Sequence, residues 1–341
     1  MKRCAALAFA AIVVLGGCTL DDDRRLVEGA VEEWQAPPFY ELPDPLPAGD
    51  PGELVRSEPI TSTMQGTRAW RVLYHSTDLS GTDILVSGVV VAPDTPTPNG
   101  GRTVVGWAHP TTGAAPRCAP SVGLAPFDLI EGLRALIASG YVVAATDYPG
   151  MGAKGPNSYL VGVSEGNSVL DAARAARQLP EAGASSDLLL WGHSQGGQAA
   201  LFAAQQVSGY APELSLGAVA VAAPATDLGT LLDNDIGDVS GVTISSYAIE
   251  AYSTLYESRG ATLASILSPA GVAATPKMAD LCLFGQNSEL HKIAKPLIGA
   301  YFTGDPRTVQ PWASVLAENS PGGSPMGVPV FIAQGVRPTR W

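Results

Sequence analysis

Residues 191–197, Trp-Gly-His-Ser-Gln-Gly-Gly, set a serine between two glycines in the order G-x-S-x-G. The apolar run 188–190 precedes them and an alanine-rich stretch follows. That context reads as a strand turning sharply into a helix, with the Ser194 hydroxyl standing clear of the bend. Side chains at 192 and 196 would collide in such a turn, which accounts for Gly192 and Gly196; Gly197 and Ala199 let the following helix approach the sheet. The helix N-terminus aims free N–H groups and the positive end of its dipole at the same point. Ser194 is therefore the candidate nucleophile. The N–H of Gln195 is a candidate donor to the oxyanion formed when a serine attacks an acyl carbonyl. A second donor is expected from the loop after the strand 102–110, where Thr111, Thr112 and Gly113 offer backbone N–H groups.

A serine of this kind needs a histidine to take its proton. Four histidines are present. His75 on an early strand reads as structural, and His109 as a ring that holds its loop by hydrogen bonds. His193 precedes the nucleophile, so its ring should point away from the substrate side. His291 is the one histidine that follows Ser194. Asp147, in Asp-Tyr-Pro-Gly, reads as the cap of a turn rather than a partner for histidine. No triad Asp or His is found in this chain.

The elements that must position these residues alternate. Segments 84–93, 102–110 and 141–150 read as strands. Residues 128–140 read as a helix, with Asp128 and Glu131 at N-cap and N3 spacing and Gly140 at its end. A second helix from Ser164 has Val169, Ala173 and Ala176 on one side. Then come the strand before Ser194, an alanine-rich helix and a strand near 216–224. Such alternation implies a mostly parallel sheet flanked by helices. The regularity stops near Thr226 and returns with a strand at 328–335. We assign 51–226 and 327–341 to the core and 227–326 to an inserted helical cap whose tyrosines fill its own interior.

Lys2, Arg3 and a short apolar run make residues 1–17 a signal segment, too short for a membrane span of about 20 residues. It ends in Leu-Gly-Gly-Cys, similar to a bacterial lipoprotein box, so Cys18 is a candidate lipidation site; an ordinary secretory signal is the alternative. Residues 18–50 are polar and proline-rich and read as a flexible tether. Export leaves Cys118 and Cys282, either as a disulfide or as two buried thiols. The net charge of −12 argues against nucleic acid as a partner. Residues 233–238, Asp-Asn-Asp-Ile-Gly-Asp, lack EF-hand spacing and read as a solvated loop. No metal or cofactor is implied.

Taken together, "WAHPTTG", "CAPS", "DYPGMG", "GHSQGGQAA", "APATDL" and "VPVFIAQG" resemble the secretory lipase family, the lipase A type of the α/β-hydrolase superfamily. The resemblance runs from about residue 50 to Gly335. It implies an ester hydrolase acting on lipid-like acyl esters, a cap over the serine, and a Cys118–Cys282 disulfide tying that cap to the core. The family pattern expects an Asp soon after the strand at 328–335 and a histidine after one more strand. This sequence continues Val-Arg-Pro-Thr-Arg-Trp. The expectation is a truncated or frame-shifted chain without its C-terminal strand, helix and acid/histidine segment, impaired in activity, with 328–335 as an exposed edge. A non-catalytic, lipid-anchored envelope protein that binds acyl ligands is the alternative.

Overall fold

The computed structural model describes residues 38–335, apart from 63, 124, 125 and 128. The signal segment, Cys18, Asp128 and residues 336–341 lie outside the described residues.

Eight strands form one sheet: β1 Leu54–Pro59, β2 Thr67–Thr77, β3 Asp83–Pro93, β4 Arg102–Ala108, β5 Val142–Thr146, β6 Ala184–His193, β7 Ser215–Ala222 and β8 Val330–Ala333. Their spatial order is β1-β2-β3-β5-β4-β6-β7-β8. The pairs from β1 to β5 are antiparallel, and those from β5 through β4, β6 and β7 to β8 are parallel. Side chains alternate between faces, as a two-residue period requires. Val72, Tyr74, Val90, Val104 and Val142 turn to one core, while Val89, Val91, Val105, Trp107 and Val143 turn to the other.

Helices α2 Gly162–Arg177 and α3 Gln195–Tyr210 cover the first face. Both rely on small residues, and Ala172, Ala173, Ala176, Ala199, Ala200 and Ala203 are all fully buried. The second face is covered by the short helix α1 Leu133–Ala138. Here the structure corrects the expected start near 128. Gly132 is left-handed at φ 79°, so the helix begins after it. Glu131, expected as a capping-box residue, instead contacts His193 through its carboxylate and receives the Trp191 indole N–H on its carbonyl.

Between β7 and β8 lie α4 Leu228–Asp235, α5 Val239–Leu255, α6 Pro269–Ala279, α7 Asn287–Ala294 and α8 Trp312–Glu318. They build a separate apolar cluster in which Tyr247, Tyr252, Tyr256, Tyr301 and Trp312 are buried. Residues 233–238 are not a loop throughout. Asp233 to Asp235 end α4, and Asp238 caps α5 by accepting the Gly241 N–H at 2.8 Å. Cys118 and Cys282 form a disulfide. The last part of the expected tether also differs from a free chain. Phe39 and Tyr40 are buried in the main core, and the Tyr40 hydroxyl bonds Ser121 Oγ at 2.7 Å. Burial of this aromatic pair offsets part of the freedom that the proline-rich segment loses. At the far edge β8 pairs with β7 and leaves Phe331 66% and Ile332 55% exposed.

Candidate active site

The turn from β6 into α3 holds Ser194 at φ 55° and ψ −117°. A non-glycine residue in that region costs about 1–3 kcal/mol and persists only where its surroundings over-determine it. Those surroundings are hydrogen bonds. The Ser194 N–H donates to Ala222 O at 2.9 Å, and its carbonyl accepts from Ala225 N and Gln198 N at 3.1 and 3.2 Å. The residue remains partly exposed. Gly192 and Gly196 have the steric role expected of them. A Cβ on Gly192 would run into the Gly196 carbonyl, and one on Gly196 into the carbonyls of Ala108 and His109. The turn is thus pressed against the end of β4. Gly197 faces Pro224, where a Cβ would stand 2.7 Å from the proline ring, so its close approach is to the segment after β7 rather than to the sheet.

Pressing the turn onto β4 brings it beside the loop that leaves that strand. Among the described residues the Gln195 N–H, in the first turn of α3, has no hydrogen-bond acceptor, as is usual for helix N-termini. In the neighbouring loop, Thr111 Oγ1 bonds the Tyr159 hydroxyl at 2.7 Å, and the Thr112 carbonyl accepts from Leu283 N at 2.9 Å. Thr112 Oγ1 is buried without a partner among the described residues. Gly113, the other candidate for a backbone N–H donor, is closely packed. Its close neighbour is the disulfide, with an added Cβ 2.6 Å from Cys118 Sγ at φ 142°.

Three of the four histidines have other partners. His109 is buried, with Nδ1 2.7 Å from Pro110 O, Nε2 3.3 Å from Asp147 O, and its ring stacked on Tyr148 at 4.3 Å. Burial pushes its pKa down to about 4, outweighing two carbonyls that favour the charged ring. His193 Nδ1 meets Glu131 at 2.8 Å. His75 is buried against Asp83 at 2.8 Å. His291 sits on α7. Asp147 accepts from Ser87 Oγ at 2.6 Å and Ser121 N at 2.9 Å, with Ser121 Oγ also bonded to it. It anchors its loop, and burial raises its carboxyl. The sequence reading did not single out Glu165 on α2. Its Oε1 accepts from Gln195 Nε2 at 2.6 Å and from Leu160 N at 2.9 Å. Burial lifts this carboxyl to about 8, against the two hydrogen bonds that favour its charged form. Nothing local in the sequence marks it, because its partner comes from a different helix.

A strained serine between strand and helix, beside a donor-bearing loop, is a geometry shared by many hydrolases. The family model for secretory lipases matches residues 128–321. The chain belongs to the secretory lipase family. A probable inactive lipase of Mycobacterium tuberculosis is 27% identical over 209 residues, 56% of this chain and 46% of that protein. Lipase 6 of Candida albicans is 25% identical over 306 residues, 83% of this chain and 63% of that one. The chain spans about half the length of the curated relatives it matches. Candida antarctica lipase A in its closed state superposes with a TM-score of 0.72 at 18% identity, covering 87% of this chain and 72% of that chain. A ligand-bound form of the rice cell wall degrading esterase LipA from Xanthomonas oryzae gives 0.69 at 22%, covering 84% and 83%. These likenesses show the α/β-hydrolase fold. Membership of this family and the disulfide fit an exported protein.

Proposed function

We propose that this secretory lipase relative is a serine ester hydrolase of lipase or carboxylesterase type, acting on lipid-like acyl esters through an acyl-enzyme on Ser194. The observation that carries this reading is the backbone of Ser194 at φ 55°, which lifts a partly exposed hydroxyl beside the free N–H of Gln195. Ser194 Oγ attacks the ester carbonyl. The carbonyl oxygen becomes an oxyanion held by the Gln195 N–H and by N–H groups of the Thr112–Gly113 loop. The alcohol leaves with a proton, and water then releases the acid. Helices α4–α8 act as a cap over this site, held to the core by the disulfide. Cys18, outside the described residues, carries a lipid that anchors the exported chain to the envelope.

No hydrogen bond joins a histidine to Ser194 among the described residues, His109 and His193 being engaged with other partners, and turnover by this chain is slow. The same observation favours a second reading, a lipid-anchored protein that keeps the pocket to bind acyl ligands. Hydrolysis of p-nitrophenyl esters of graded chain length, wild type against Ser194→Ala, tests the first reading. A small rate that vanishes with Ser194→Ala supports it. Equal rates in both proteins, together with saturable binding of a fatty acid, support the second.

A further inference from the structure

Four buried side-chain atoms without a hydrogen-bond partner among the described residues lie on the turn's helix and the helix packed against it: Ser164 Oγ, Glu165 Oε2, Gln195 Oε1 and Gln198 Oε1. Around them runs a continuous buried network. Glu165 Oε1 holds the Gln195 amide and the Leu160 N–H. Leu160, itself at φ 56°, accepts on its carbonyl from Gln198 Nε2 and from the Tyr252 hydroxyl of α5, each at 2.9 Å. Gln198 Nε2 also reaches Asn319 O at 2.7 Å, and the Asn319 side chain accepts from Gly162 N and donates to Tyr256 Oη. The residue after the candidate nucleophile is therefore joined, through one carboxyl and one backbone unit, to the helices inserted between β7 and β8.

The chemistry of the carboxyl follows from its partners. Glu165 and Gln195 are already joined by one N–H···O bond, and among the described residues the second carboxyl oxygen of Glu165 and the amide oxygen of Gln195 have no donor. A carboxylate would leave both oxygens unpaired in a buried site, which is costly. A carboxylic acid brings one O–H, the donor that these two oxygens lack. The titratable groups facing Glu165 are Tyr148, Tyr159 and Tyr252, and burial holds all three above the usual phenol range. No cation pairs with it among the described residues.

We propose that Glu165 is a positioning residue: as a neutral acid it grips the side chain of Gln195 and the N–H of Leu160, and so fixes the oxyanion donor to the segment from which the inserted helices hang. This rests on the reading of Ser194 as nucleophile. Above its pKa of about 8 the acid ionises and its O–H donor is lost; the two N–H donors on Oε1 favour the charge but burial opposes it, so the buried charge is relieved by opening this contact with Gln195 to water.

The test uses the full chain. Glu165→Gln keeps shape and neutrality, and Glu165→Ala removes the grip. Deuterium uptake over residues 193–199 is followed at pH 6 and pH 9, corrected for intrinsic rates. Labelling of Ser194 by a fluorophosphonate is measured on the same samples against a Ser194→Ala blank. Wild type should exchange in this segment about fivefold or more faster at pH 9 than at pH 6. Glu165→Gln should stay slow at both, and Glu165→Ala fast at both. Labelling should fall about tenfold in the fast states, with the probe concentration for half-saturation unchanged. Uptake that is independent of pH in wild type and the same in Glu165→Gln would overturn the proposal, and this comparison stands even where Glu165→Ala does not fold. Uptake as expected with no labelling above the blank in any protein would support the positioning of Gln195 and overturn the hydrolytic reading instead.

Discussion

Gly113 lies so close to the Cys118–Cys282 disulfide that a Cβ on it would stand 2.6 Å from Cys118 Sγ and 3.1 Å from Cys282 Cα. The glycine, also at φ 142°, lets the loop after β4 pass beneath the disulfide. Gly113→Ala meets both the contact and the backbone penalty, and should lower stability by about 2–4 kcal/mol. The midpoint of urea unfolding reads this. An unchanged midpoint would mean that loop and disulfide yield freely.

The disulfide joins positions 164 residues apart, one in the loop after β4 and one between α6 and α7. A cross-link over so long a loop removes much freedom from the unfolded chain, and its loss should cost about 2–4 kcal/mol. The double variant Cys118→Ala/Cys282→Ala should show a lower melting temperature, with faster amide exchange in α6 and α7 than in β4. Uniform exchange across the chain would contradict a tie that acts mainly on the inserted helices.

His109 makes a pH prediction whose sign is fixed. Its folded pKa, about 4, lies below the unfolded value. The unfolded chain therefore binds the proton first, and stability is lost as pH falls from about 6.5 towards 4, by up to about 3 kcal/mol. Glu165 acts in the opposite direction. Its raised value makes the unfolded chain lose the proton first, so its ionisation erodes stability as pH rises from about 4.5 towards 8. Comparing wild type with His109→Gln isolates the first effect. The variant should gain on wild type between pH 7 and pH 4.5, and a gap that stays constant would contradict burial as the cause.

The bend at Ser194 was readable in the sequence because its constraints are local. Gly192, Ser194 and Gly196 meet one another within a few residues, so their types report the bend directly. The parallel strands were readable for the same reason, as short apolar runs between turns. Features set by distant partners were not. The start of α1 moved because Glu131 found His193 and Trp191. Phe39 and Tyr40 looked like tether residues until the core supplied Ser121 and apolar neighbours. β1 has no clear alternation of its own and is defined by pairing with β2. That Gly113 packs against Cys118 and Cys282 was not readable locally, since sequence spacing does not say that Cys282 passes beside it. Glu165 was invisible because its meaning depends on α2 lying against the first turn of α3.

The central claim is that Ser194 is the atom that takes the acyl group. Prolonged reaction of the full chain with a fluorophosphonate, followed by peptide mapping by mass, tests it most directly. The account predicts a single adduct on the peptide containing Ser194, absent from Ser194→Ala. No adduct on that peptide at full probe excess, or the same adduct in Ser194→Ala, would contradict it.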